Sequence, residues 1–188
     1  MSRYIPDEVP DTIREILVDK VSPLVSEIIA STPSFISDED VAFLDEHVGL
    51  WVGERRIRSA LLGEYIKPCN AYPDGVVLLH VDAIMTCSQA IGVPFDTMLA
   101  STLIHEISHW YTMRREGMEH VISEHDEEIA EDVADEVCKD LYDHKVISGP
   151  MKSIRSDHST AMSFLLWLRE WTGMTPEEWE KAMEELYD

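Results

Sequence analysis

Cysteine is scarce in this chain of 188 residues. It has three cysteines: Cys69, Cys87 and Cys138. This is an odd number, and their spacing matches neither a disulfide scaffold nor a zinc knuckle. The sequence also has no apolar run long enough to cross a membrane, and its first residues lack the pattern of a signal peptide. We therefore expect a reducing, cytoplasmic setting and no membrane partner.

Basic residues are also few. The chain has 15 Lys and Arg against 37 Asp and Glu, which gives a formal net charge of −22 that is spread along the sequence. Such a surface repels nucleic acid and anionic membranes, so we expect neither as a partner. Two interpretations of the acidity stay open: a preference for basic or neutral peptides, or adaptation to a salt-rich habitat.

The chain lacks long linkers, internal repeats and low-complexity tracts, so we expect one domain over residues 1–188. Hydrophobic residues make up 45% of it, which is ordinary for a globular core. The spacing of apolar residues predicts an α+β fold that is mainly helical, with a small mixed sheet and C-terminal helices. The predicted strands lie within 51–66 and 75–81, and the predicted helices span 11–30 with a break at Pro23, 38–47, 82–90, 94–115, 124–142, 157–171 and from 176.

The most informative motif is a set of three polar residues inside an apolar segment. His105, Glu106 and His109 form the pattern H-E-x-x-H. Histidines four apart project from one face of a helix, so both imidazoles can bind one zinc ion while Glu106 lies beside them. The neighbouring residues are apolar: Leu103, Ile104, Ile107, Trp110 and Tyr111. Burying two histidines and a glutamate among them is costly unless a metal holds these polar side chains. The alternative is a pair of hydrogen-bonded core histidines.

A catalytic zinc needs a third protein ligand, and the acidic segment 124–142 is where we expect it. Its apolar residues recur at helical spacing and predict one inward stripe: Ile129, Ala130, Val133, Ala134 and Val137. If Glu131 is the ligand, Asp135, one turn later, could accept a hydrogen bond from a ligating histidine as an outer partner. Ala134 between them would allow a close approach to the H-E-x-x-H helix. Glu127 and Glu128, one turn earlier, are competing ligands.

These motifs resemble the gluzincin metallopeptidases, a clan with thermolysin-like, HtpX-like and minigluzincin-like members. In that clan the third zinc ligand is a glutamate in an E-x-x-[AS]-D helix, and here Glu131, Ala134 and Asp135 match that pattern. The resemblance implies a zincin-like domain with its catalytic core over about residues 50–145. It also implies Zn2+ as the cofactor and a peptide or protein as the substrate.

A second element supports the resemblance. The stretch Asn70-Ala71-Tyr72-Pro73-Asp74-Gly75 is similar to the N-A-aromatic-x-x-G motif that many gluzincins carry before the active helix. In those families the motif belongs to the edge strand that pairs with an extended substrate. Carried over, Asn70 and Ala71 become substrate-binding candidates, while the alternative is a simple turn before Pro73.

The expected activity is hydrolysis of peptide bonds by a zinc-activated water, with Glu106 as general base. Tyr142, His144 and His158 are available to stabilise the oxyanion, and the sequence does not choose among them. Two other functions stay open: a regulatory protease that cuts one partner, and a zinc-binding interaction module. A coincidental motif with no metal is a further alternative.

Overall fold

The computed structural model describes residues 5, 9–32, 36–52, 62–151 and 158–187. Helices dominate, and one small mixed sheet accompanies them, so the predicted α+β class is confirmed. In chain order the elements are α1 (Asp11–Ile16), a π-helical segment (Leu17–Val21), α2 (Ser22–Ala30), α3 (Asp38–His47), β1 (Val48–Trp51), β2 (Gly63–Ile66), β3 (Val76–His80), α4 (Val81–Ile91), α5 (Phe95–Glu116), α6 (Glu124–Asp143), α7 (His158–Thr172) and α8 (Pro176–Tyr187).

The three strands lie in the order β1-β3-β2. Strand β1 is parallel to β3, and β2 is antiparallel to β3 with Gly63 opposite Leu79. The predicted strand region 51–66 ends in β2, whereas β1 lies before this region and shares only Trp51 with it; residues 53–61 lie outside the described part. Among the described residues β2 pairs only with β3, which leaves one of its edges facing away from the sheet.

Helix α5 runs through the centre of the domain. Proline at position 94 precedes it, as predicted, because a proline costs no hydrogen bond where a helix begins. Leu99, Leu103 and Ile107 are completely buried, and the helix packs against α4, α6, β2 and β3. An α-helix that is covered on several sides is held by its packing rather than by its intrinsic propensity.

Helix α6 packs along α5 through small residues. Ala130 and Ala134 are buried, so the two helix backbones can approach closely, as Ala134 predicted. The stripe also includes Val137, but Ile129 is 43% exposed and does not belong to it. The helix begins with a capping box in which the Ser123 hydroxyl accepts from the Asp126 N–H and the Asp126 carboxylate accepts from the Ser123 N–H.

The first helical region differs from the prediction. The chain stays helical through Pro23, and the irregularity is a π-helical turn just before it, where the Ser22 N–H bonds to the Leu17 carbonyl. Pro23 has no N–H to donate to the carbonyl four residues earlier. The wider π-helical turn before it lets the carbonyls of this segment bond to other N–H groups. The predicted caps at Ser37 and Thr175 are confirmed, since each side chain accepts a backbone N–H three residues later.

The C-terminal helices complete the described structure. Helix α7 packs on α4, and the Trp167 indole N–H donates to the Thr86 hydroxyl at 3.0 Å. Arg169 on α7 stacks over the Trp179 ring on α8, with 5.5 Å between the guanidinium carbon and the ring centre. Within the described ranges, no helix combines the length and apolar character that a membrane span requires.

Candidate metal centre

The two histidines of the H-E-x-x-H motif lie one turn apart on α5, and their rings converge. The Nε2 atoms of His105 and His109 are 2.9 Å apart, and the ring planes are nearly perpendicular. Burial lowers the pKa of His105, and the neighbouring His109 lowers it further, against the opposing effect of Glu127. A neutral imidazole offers the lone pair that a metal needs, so His105 is in the metal-binding form at neutral pH.

A glutamate on α6 completes the cluster, and it is Glu127. Its Oε2 atom lies 3.2 Å from Nε2 of His105 and 3.4 Å from Nε2 of His109. Ligand atoms about 2 Å from a tetrahedral ion are roughly 3.3 Å from one another, which is close to all three observed separations. Two imidazole nitrogens and one carboxylate oxygen are also a donor set that suits zinc, so the residues fit the ion.

The preferred ligand Glu131 is not in this group. The described residues contain one group of His, Cys, Asp or Glu side chains that is close enough to hold a metal ion: His105, His109 and Glu127. Their ligand atoms all lie within 4.8 Å of one another. The structure thus favours the competing glutamate one turn earlier. Glu127 and Glu131 share one face of α6, and the position of α6 along α5 decides which of them reaches the imidazoles. The role of Glu131 stays a prediction.

The outer-partner role of Asp135 finds no support at His109. The Nδ1 atom of His109 is buried and has no hydrogen-bond partner among the described residues, so Asp135 does not orient this ring. Asp135 is exposed, and it acts electrostatically on Cys138, whose pKa burial raises to about 12. The proposed role of Asp135 depends on a metal ligand at position 131, and it stays a prediction.

Glu106 lies against the sheet. It is only 8% exposed, and a Cβ added at Gly63 would be 2.9 Å from its Cγ, so β2 touches this side chain directly. Burial, together with the charges of Glu127 and Glu64, raises the pKa of Glu106 to about 8 against the opposing effect of a hydrogen bond from the Tyr65 backbone N–H. A carboxyl group with a pKa near the working pH is suited to general acid–base chemistry.

The outer edge of β2 runs beside Glu106. The His80 N–H donates to the Leu62 carbonyl at 2.8 Å, so residues 62 and 64 are the ones that bond to β3. The backbone groups of Gly63 and Tyr65 must then point away from the sheet, in agreement with the bond from Tyr65 to Glu106. This is the edge where an extended chain could add a strand.

Asn70 and Ala71 are not part of that edge strand. Both are exposed and lie in the connection between β2 and β3, where Cys69 and Tyr72 exchange two backbone hydrogen bonds at 2.9 and 3.1 Å. The expectation that they form the edge strand is wrong, and the alternative of a turn is confirmed. A second turn follows directly, in which the Gly75 N–H donates to the Tyr72 carbonyl at 3.0 Å and Pro73 occupies the second position. Their part in substrate binding stays a prediction.

Two of the three candidates for oxyanion stabilisation, Tyr142 and His144, lie at the far end of α6 from Glu127. Tyr142 is near the C-terminal end of α6, about four turns and roughly 22 Å from Glu127 along the helix. His144 is next to it and bonds to the Asp140 carbonyl. The side chain of His158 lies outside the described residues.

Three residues that the sequence did not single out contact Glu106 or the loop that leads to α6. Gly63 and Tyr65 contact Glu106, and Lys67 bonds to the loop before α6. A glycine inside a predicted strand is a signal of close backbone approach, so Gly63 could have been found. Nothing in the local sequence indicates Lys67, because its partners lie more than 50 residues away.

Comparison of the chain with protein-family models, curated proteins and solved structures found no match. The resemblance to gluzincins therefore rests on the motifs alone.

Proposed function

We propose that this protein is a zinc-dependent metallopeptidase in which His105, His109 and Glu127 hold the metal and Glu106 is the general base. The observation that carries the proposal is the convergence of three ligand atoms, 2.9–3.4 Å apart, from two helices. A buried carboxyl lies next to them, with its pKa raised to about 8.

Zinc at this cluster would lower the pKa of a water molecule towards about 7, polarise a substrate carbonyl and favour the carboxylate form of Glu106. The chain's own contribution is to place that carboxylate. Glu106 accepts the proton of the attacking water at its carboxylate oxygen and delivers it to the nitrogen of the leaving amine. The Tyr65 N–H and the backbone at Gly63 limit where the carboxylate can move.

The outer edge of β2 supports an extended substrate in this proposal. The Tyr65 N–H is bonded to Glu106, so a peptide would pair with the outward backbone groups of Gly63 and with the Tyr65 carbonyl, and it would pass close to Glu106. Backbone pairing gives affinity without demanding a particular sequence. The net charge of −22 favours basic or neutral peptides over acidic ones.

Metal content and peptide cleavage test the proposal together. We expect about one zinc per chain after dialysis against metal-free buffer, and cleavage of unstructured peptides that a chelator stops and added zinc restores. Glu106→Gln should reduce cleavage by roughly 100-fold or more while zinc stays bound, because only the proton transfer is lost. A chain that takes up no zinc, even when zinc is offered, would contradict the proposal.

The same variants separate the proposal from its alternatives. A partner-dependent function that survives Glu106→Gln in a chain that cleaves no peptide would favour a zinc-binding interaction module, whereas cleavage that survives the substitution would contradict the role of Glu106 as general base. Glu127→Gln and Glu131→Gln form a matched pair from one face of α6. We expect the first to lose most of the zinc affinity and the second to keep it, and the reverse result would restore Glu131 as the ligand.

A further inference from the structure

The loop between α5 and α6 is tied to the end of the edge strand by one lysine. Lys67 follows β2 directly, and its Nζ donates to the carbonyls of Met118 and His120 at 3.0 and 2.9 Å. These partners belong to the seven-residue connection that ends where α6 begins. A single side chain thus joins the strand beside Glu106 to the segment that leads to Glu127.

The loop in turn holds the first turn of α6. The Nε2 atom of His120 lies 3.1 Å from Oδ2 of Asp126. The same carboxylate oxygen accepts from the N–H of Ser123 at 2.8 Å and from its hydroxyl at 2.6 Å. Asp126 immediately precedes Glu127, so the contacts run without a gap from Lys67 to the residue before the metal ligand.

Glu127 needs such support because packing does not supply it. Its side chain is 48% exposed, whereas that of His109 is 9% exposed. An exposed glutamate has several rotamers, and the turn that carries it can fray unless its backbone is held. Groups that orient a ligand without touching the metal commonly change metal affinity by roughly 10- to 100-fold.

We propose that Lys67 is a positioning residue for zinc: through the His120 and Asp126 contacts it holds the first turn of α6 where Glu127 meets the two histidines. This inference rests on the proposed function, because it takes His105, His109 and Glu127 as the zinc ligands. It assigns Lys67 no contact with the metal or the substrate.

The charge of Lys67 makes the test decisive. Removing a cation near an anionic site strengthens zinc binding if the lysine acts only through its charge. Removing the two hydrogen bonds weakens zinc binding if the lysine positions Glu127. The two roles therefore predict changes of opposite sign in the same measurement.

The experiment measures the zinc dissociation constant of the full chain by competition with a chromophoric chelator. We expect Lys67→Met to weaken zinc binding about 10-fold, and Lys67→Arg, which keeps the charge and the donors, to recover most of it. Lys139→Met is the matched control, since Lys139 is exposed on α6 about 18 Å further along the helix. Unfolding of the metal-free variants by urea should change little.

A second variant tests the same inference if Lys67→Met fails to fold. His120→Phe removes the Asp126 contact from the other end of the same chain of contacts, and the double variant with Lys67→Met should be less damaging than the two effects added together. Unchanged or tighter zinc binding by Lys67→Met, with wild-type binding intact, overturns the inference and leaves the proposed function standing. An unaltered chain that binds no zinc overturns both.

Discussion

Helices α5 and α6 meet at the same three-atom cluster, but different forces hold them there. The part of α5 that carries the motif is buried, with Glu106 only 8% exposed, and apolar packing on several sides fixes it. The first turn of α6 is solvated, and a capping box with the His120 contact fixes it. One half of the site therefore belongs to the core, while the other half can be altered at a small cost in folding.

The largest expected difference concerns the buried carboxyl on α5. In the metal-free protein the pKa of Glu106 is raised to about 8 from its ordinary value of 4.5, so between these values the folded chain keeps a proton that the unfolded chain has released. Stability should therefore fall as the pH rises from about 4.5 to about 8, by an amount on the order of 5 kcal/mol.

Glu106→Gln should remove this part of the pH dependence. The measurement is urea unfolding with a chelator present, at several pH values, for both proteins. The difference in unfolding free energy between the two proteins should change steadily between about pH 4.5 and pH 8. A constant difference would show that Glu106 titrates normally.

The next largest effect compares the packing of the two helices. Leu103→Ala on α5 should cost roughly 3 kcal/mol, because the side chain is completely buried and its removal leaves a cavity. Ile129→Ala on α6 is the matched control, and it should cost less than about 0.5 kcal/mol, because that side chain is 43% exposed. Equal losses in thermal or urea unfolding would contradict the assignment of α5 to the core and of this face of α6 to solvent.

Gly63→Ala tests the contact between the sheet and α5. The new methyl group would lie 2.9 Å from both Glu106 Cγ and Thr102 Cγ2, so we expect a loss of about 2 kcal/mol and reduced cleavage with zinc still bound. Combining it with Thr102→Ser removes one of the two clashing groups and should recover part of the stability. Full stability of Gly63→Ala alone would mean that β2 and α5 are further apart than the structure shows.

The smallest expected effect is at the cap of α6. Ser123→Ala should cost about 1 kcal/mol near neutral pH and should also weaken zinc binding. Hydrogen bonds from Ser123, with a smaller effect of His120, hold the pKa of Asp126 below its usual range. That stabilisation is present above the ordinary aspartate pKa and is lost as the pH falls, so the cost of Ser123→Ala should shrink in acid.

Thr175→Ala is the control for this variant, because Thr175 makes the equivalent cap on α8. It should cost a similar amount of stability without changing zinc affinity. If both variants weakened zinc binding equally, the cap on α6 would have no special connection with Glu127.

Local patterns predicted most of the helices well. Ser37 and Thr175 were recognised as caps because a side chain three residues from its partner acts within one turn. The α5 helix followed from Pro94 and a long apolar segment. The prediction was less successful where the partner is distant: Ile129 has helical spacing from Val133 but faces solvent. Periodicity identifies a face, and only packing decides how wide the buried part is.

The sequence by itself determined that two histidines and a glutamate lie together on one helix. His105 and His109 share a helix face whatever surrounds them, because four residues make about one turn, and Glu106 is adjacent to the first of them. Tertiary structure alone decided which glutamate lies beside the two imidazoles, because Glu127 and Glu131 are equivalent along α6 until that helix is placed against α5. It also decided that β2, rather than Asn70 and Ala71, lies beside Glu106, and that Lys67 joins this strand to the loop. Contacts between residues far apart in the chain depend on how the helices and strands pack. No local sequence pattern specifies which of these distant residues meet.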